Sequence, residues 1–373
     1  MTVPRPSRLA VGVALLAVVA AVAASCGSGG NGSPAPGPRR LMLRDVGAIV
    51  IVPTYERLVN EAESLVNAAA QLDDAPDAAS LAATQTAWRQ TRAVWKQSEA
   101  FAIGPAQTLR TAAKIDWSPI KGDRIEAEIA GTAELTGTYV EDLGANVKGF
   151  LAIEYLLFDS AGDDAATVQA LGGDARRRRF VRALAENLRD QAALLHDAWT
   201  GGFAAVFGNP GSDNPQFPTV KSAVDLLVNQ LIFLSEEIAD AQLLAAVGTR
   251  NGGAPNPAAL AAHRSQNGLA DLLDDLAGLQ SLYFGAYAGR RGASLNDIVG
   301  DLSGDVRGAL SLAIVRAVET ASRIPQPLER AVTADQALVE RAQIRAKELM
   351  RRLEIDLVSV LGTTLRFNPN DGD

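Results

Sequence analysis

Only one cysteine, Cys26, occurs in 373 residues, so no intrachain disulfide can form and the small disulfide-stapled classes are excluded. Histidine is nearly as scarce, present only at His196 and His263. The chain has no His-Glu-x-x-His zinc helix and no Gly-x-Ser-x-Gly nucleophile elbow, so two common hydrolase designs are absent from it. Alternating strand patterns are nearly missing, which points away from a sheet protein. After the N-terminus no apolar run approaches the ~20 residues of a membrane-spanning helix. Basic residues are in deficit, 35 against 43 acidic, for a net charge of −8. Without Arg5 and Arg8 the counts are 33 and 43, a net of −10. That acidity argues against a nucleic acid partner and is mildly compatible with cation binding.

The N-terminus reads as an export signal. Arg5 and Arg8 precede an apolar run from Leu9 to Ala24, short for a membrane span but suited to a signal peptide. The run ends in Ala23-Ala24-Ser25-Cys26, small residues before a cysteine as in a bacterial lipobox. Residues 1–25 are therefore expected to be removed and Cys26 to carry lipid; simple cleavage near Ala23 or Ala24 is the alternative. Gly27 to Pro38 is Gly, Ser, Pro and Asn-rich, and residues 26–44 are expected to form a disordered tether. The expected location is the periplasm, with the protein held on a membrane by its lipid, the outer membrane where the cell has one.

Residues 45–373 carry helical periodicity. Leu58, Ala62, Leu65, Val66 and Ala69 share one face of a first helix. Val224, Leu227, Leu231, Leu234 and Ile238 repeat the spacing, as do Leu269, Leu272, Leu276 and Leu279, and then Leu349, Leu353 and Leu357. Stripes of this kind are the buried faces of packed helices, so the expected class is all-α. Gly and Pro clusters mark breaks at Asp73–Asp77, Gly201–Pro218, Thr249–Pro257 and Pro325–Pro327. These breaks support up-and-down bundles, and the third is the best candidate for a junction between a part of about 45–250 and one of about 251–373, which bundle elements can cross.

Gly149-Phe150-Leu151-Ala152-Ile153-Glu154, running into Tyr155-Leu156-Leu157, resembles the Gly-x-His-x-x-Glu signature of the imelysin family, with Leu151 at the His position. Further landmarks follow in the family's order. Trp88, Trp95, Ser98-Glu99-Ala100-Phe101 and Gly104-Pro105 come first, then Ile115-Asp116-Trp117-Ser118-Pro119. Gly268-Leu269-Ala270-Asp271-Leu272, Tyr283-Phe284-Gly285 and Phe367-Asn368 complete the set. The resemblance implies two related up-and-down helical bundles with a cleft between them. It also implies links to iron uptake and, for some members, peptidase activity.

In a helix, a His at 151 and Glu154 would share a face and one metal ion. Leu151 removes the nitrogen donor, and a lone carboxylate is a poor site for zinc or iron. Glu154 sits among apolar residues and must be paired or hydrogen-bonded, so a structural role held by a neighbouring Arg, Trp or Ser outweighs ligation. Glu99, Asp116, His263 and Ser265 are the other candidates for the cleft. Ser265 also reads as a helix N-cap, with Asn267 as competitor. Trp88, Trp95 and Trp117 read as core or cleft wall, and His196 as a helix-boundary residue. Arg176-Arg177-Arg178-Arg179 reads as a solvated face, and the acidic C-terminal tail fails the calcium-loop template. Three functions fit. One is a binding or accessory protein whose cleft takes a metal ion, a metal complex or an acidic polymer. Another is a metallopeptidase in which His263 or Glu99 compensates for the lost His. The last is a scaffold.

Overall fold

The computed structural model describes residues 37–248, 252 and 254–366. The export signal, Cys26, most of the tether, part of the expected junction and the tail from Phe367 lie outside the described residues. Helix α1 (Pro38–Asp45) runs through a π-helical stretch, Val46–Ile51, into α2 (Val52–Asp74). Residues 38–44 therefore belong to the folded body and not to the tether, because Met42 and Leu43 are fully buried. Asp77 and Ser80 form a capping box that starts α3 (Ala78–Ser98). A 3-10 turn, Glu99–Phe101, leads into α4 (Pro105–Thr108), α5 (Thr111–Ile115), α6 (Gly122–Ala130) and α7 (Gly137–Glu141). Next come α8 (Gly149–Leu157), α9 (Asp164–Gly173) and the long α10 (Ala175–Ala198), whose first turn is capped by Asp174.

The stretch Gly201–Pro218, expected to be a loop, is helical as far as Gly208. A π-helical turn, Trp199–Phe203, continues into α11 (Ala204–Gly208). Trp199, Phe203, Phe207 and Phe217 pack edge to face and hold this segment in the core.

Thr219 and Ser222 cap α12 (Val220–Glu236), which continues as the π-helix Glu237–Leu244. The chain then forms α13 (Gly268–Phe284), a short antiparallel ribbon of β1 (Ala286–Tyr287) and β2 (Arg290–Arg291), α14 (Leu295–Leu302) and α15 (Gly304–Ala321). It finishes with α16 (Leu328–Ala334), α17 (Gln336–Arg352), a π turn Leu353–Leu357 and α18 (Val358–Leu361).

The architecture is all-α, in two helical bundles. Helices α2, α3, α8 and α10 build the first; α12, α13, α15 and α17 build the second. Helix α12, upstream of the Thr249–Pro257 break, packs on α17, so an element of the second bundle crosses that break. All the stripe residues named from the sequence are buried. The bundles meet where α3 lies on α13. Gly278 allows that approach: a Cβ there would sit 2.1 Å from the Gln97 carbonyl oxygen. Trp88 and Trp95 are buried, whereas Trp117, expected in the core or cleft wall, is 45% exposed. Among the described residues no helix is long and apolar enough to cross a membrane.

Candidate functional site in the inter-bundle cleft

Gly149 opens α8 at φ 78°, and a Cβ there would lie 2.3 Å from the Ile115 carbonyl oxygen. Only glycine tolerates both conditions, so Gly149 seats α8 against the end of α5. One turn on, Leu151 and Glu154 share a helix face. With Tyr155, His263 and Arg264 they line a cavity of about 290 Å³. Glu154 is 2% exposed, and its Oε1 accepts hydrogen bonds from the Ser265 backbone N–H at 2.8 Å and Oγ–H at 2.7 Å. Burial pushes the Glu154 carboxyl above its ordinary value, against the pull of the Ser265 hydrogen bonds, Arg92 and His263. Glu154 is thus both buried and part of the cleft wall.

Ser265 does not cap α13. Asn267 holds the cap position without a side-chain cap bond, its Nδ2 donating instead to Asp271 Oδ1 at 2.7 Å. The Gly268 N–H is satisfied from another helix, by Glu329 Oε1 at 3.0 Å. Ser265 is engaged elsewhere: its N–H and Oγ–H both donate to the buried Glu154 carboxylate, a strong charge-assisted acceptor. His263 faces solvent at the cavity rim, with Nδ1 3.2 Å from the Leu260 carbonyl oxygen. An imidazole donating there keeps Nε2 as an acceptor.

A second cavity of about 200 Å³ adjoins the first, sharing Ser118, Leu260 and Ala261 with it. Arg92, Lys96, Glu99, Asp116 and Asp271 line it. Arg92 is 1% exposed and forks onto Asp271 (Nε 3.0 Å to both oxygens, Nη2 2.8 Å to Oδ2), with Nη1 2.7 Å from Asp116 Oδ1. Trp95 Nε1 donates to the other Asp116 oxygen at 2.9 Å. Burial would raise the Asp116 carboxyl, but Arg92 and Lys96 hold it below its ordinary value. One helical turn on, Lys96 Nζ lies 2.5 Å from Glu99 and 3.4 Å from Asp275, which also accepts from Gln242 at 2.7 Å. Burial and the neighbouring Glu99 push Asp275 well above the carboxylate range, against the pull of Lys96.

The structure therefore brings Leu151, Glu154 and His263 to one cavity, with Ser265 bonded to Glu154 from behind it, and Glu99 and Asp116 to the neighbouring cavity. The sequence reading missed Arg92, Lys96, Asp271 and Asp275. The signal was available: Arg92 and Lys96 sit one turn apart among the tryptophans of α3, and Asp271 and Asp275 interrupt the leucine stripe of α13. Arg176 to Arg178 are not a solvated face, although Arg179 is exposed. Arg176 donates to the carbonyls of Ile129 and Glu128, Arg177 pairs with Glu126, and Arg178 donates to the carbonyls of Asp73 and Leu171. These bonds cap neighbouring helix ends, which is what pulls the guanidinium groups onto the body.

The donor set does not fit a zinc or iron ion held by protein alone. Such a site needs at least three converging ligands, and no group of three His, Cys, Asp or Glu able to hold a metal exists among the described residues. Glu154 and His263 are two donors in one cavity. Glu99 and Asp116 are already engaged by Lys96 and Arg92 in the other.

A two-bundle helical protein with a charged, two-chambered cleft at the bundle interface is the class these features define. The chain belongs to the imelysin family, whose family model (peptidase M75, imelysin) matches residues 51–353. No curated protein matches it. Two solved structures share its fold. One, named an iron-regulated protein A precursor, from Parabacteroides distasonis ATCC 8503, superposes with a TM-score of 0.73 at 19% identity, covering 89% of this chain and 97% of that one. An imelysin-like protein from Psychrobacter arcticum 273-4 gives a TM-score of 0.72 at 19% identity, over 88% of this chain and 97% of that one.

Proposed function

We propose that this imelysin-family chain is an exported, lipid-anchored binding or accessory protein of the periplasm. It takes a ligand in the inter-bundle cleft, serves metal uptake and performs no hydrolysis. The observation that supports this reading is the chemistry around Glu154. Leu151 stands where the family signature carries a nitrogen donor, and Ser265 occupies one carboxylate oxygen. A bare metal ion lacks ligands there, whereas a metal complex brings its own. The iron-regulated name of a protein with the same fold is consistent with that role.

The test uses the full chain. Melting temperature is followed with free iron, free zinc and chelated iron in excess, beside an assay of unfolded polypeptide cleavage. A ligand that binds only the native state raises the melting point by mass action. The expected result is a rise with the complex and no metal-dependent cleavage. The second reading, a metallopeptidase, draws on the meeting of Glu154 and His263 in one cavity. Cleavage that requires metal and is abolished by both Glu154→Ala and His263→Ala would establish it.

A further inference from the structure

Among the described residues, Arg264 lines three cavities. It lines the signature cavity, a second space of about 310 Å³ with Tyr155, Phe158 and Arg177, and a third of about 190 Å³ with Gln85, Arg89 and Gln266. Its guanidinium carbon lies 4.6 Å from the centre of the Tyr155 ring. Among the described residues it has no hydrogen bond and no ion pair. Arg89, across the third cavity, is in a similar state. Its guanidinium sits 4.7 Å over the Phe158 ring, and its one hydrogen bond is a long one, Nη2 to the Ser265 carbonyl oxygen at 3.4 Å. Burial lowers the Arg89 guanidinium from its ordinary value, and Asp164 and Glu154 only partly offset this.

The carboxylates in the same spaces each have one oxygen taken by another donor and make no ion pair with Arg264 or Arg89. Glu154 takes both Ser265 donors. Asp159 accepts the backbone N–H of Ala161 at 2.7 Å and of Asp163 at 3.4 Å. Asp164 accepts from Gln85 Nε2 at 2.9 Å. Arg177 is paired with Glu126. Two planar guanidinium groups, Arg89 exposed and Arg264 half-buried, each held on an aromatic ring and facing one cavity, are arranged for an oxyanion.

We infer that Arg264 and Arg89 form an oxyanion-binding subsite beside the signature cavity, which takes the carboxylate or phosphate group of the cleft ligand. The proposal deepens the binding reading above and rests on it. The aromatic rings fix the guanidinium planes before the ligand arrives, which lowers the ordering cost of binding. Arg264 spans all three spaces and so joins the oxyanion subsite to the cavity of Leu151 and Glu154.

Calorimetry on the full chain at low salt tests this with citrate as the carboxylate probe and inorganic pyrophosphate as the phosphate probe. At least one should bind, and which one does identifies the anion. Arg264→Gln and Arg89→Gln should each weaken that binding by about tenfold or more, with Arg264→Lys intermediate because it keeps the charge and loses the fork. Arg316→Gln, on an exposed face of α15, changes net charge equally and should leave binding unchanged. Each variant is compared at an unchanged far-ultraviolet circular dichroism spectrum. Binding of neither probe overturns the subsite, as does equal loss in Arg316→Gln or retention in both arginine variants. The binding reading fails separately, when no iron species moves the melting temperature or when metal-dependent cleavage appears.

Discussion

Replacing Arg92 by Met should cost this protein about 3–5 kcal/mol of stability at neutral pH. The side chain is 1% exposed and serves two carboxylates that are themselves 9% and 8% exposed. Methionine fills much of the volume, so the loss is chiefly electrostatic. Without the guanidinium, Asp116 keeps only the Trp95 hydrogen bond and Asp271 only that from Asn267. Two buried charges of one sign then remain with only Lys96 as a nearby cation. The escape for Asp116 is protonation. Arg92 now helps hold Asp116 below its ordinary value, and once it is removed burial drives that carboxyl above its unfolded value. A carboxyl raised on folding contributes most in acid and loses that contribution as pH rises through its folded value. The deficit of Arg92→Met should therefore be large in neutral buffer and smaller in mild acid. Urea unfolding of the full chain, followed by tryptophan fluorescence at both pH values, measures it. A triple variant, Arg92→Met with Asp116→Asn and Asp271→Asn, should recover most of the loss by removing the stranded charges. A single-variant loss below about 1 kcal/mol, or one that deepens in acid, would refute the reasoning.

Burial raises the Asp274 carboxyl from 3.8 to about 6, helped by Asp271 and opposed by Gln97, Arg57 and Lys96. Its stabilising contribution is complete below 3.8 and is lost as pH rises through about 6, so Asp274→Asn should gain up to about 3 kcal/mol at neutral pH and flatten the stability profile across that window. Gly149→Ala should lose about 2 kcal/mol or more, read as a lowered melting temperature, since its φ is 78° and its new Cβ would meet the Ile115 carbonyl oxygen. Leu151→His would put an imidazole one turn from Glu154, in the cavity that His263 already borders. Elemental analysis after dialysis against zinc should then find bound metal in this variant and none in the parent chain. Zinc in both would overturn the account of the donor set given above.

What the sequence determined by itself is local. Apolar spacing near 3.6 residues names the helices, since a helix face is set by residues three and four apart. The Gly-x-x-x-x-Glu spacing places Leu151 and Glu154 on one face, because that too is a matter of a single turn. Tertiary structure decided which partner each charge received. Ser265 reaches Glu154 across 111 residues, and Asp271 reaches Arg92 across 179. Ser265 reads equally well as a cap, and Arg176 to Arg178 as a solvated face, until the elements that approach them are known. Which bundle α12 joins was hidden for the same reason: its stripe suits any apolar neighbour, and only the packed chain sets it against α17. Helical periodicity says that a face is buried but not against what, and the choice among polar partners is made by desolvation when distant segments close on one another.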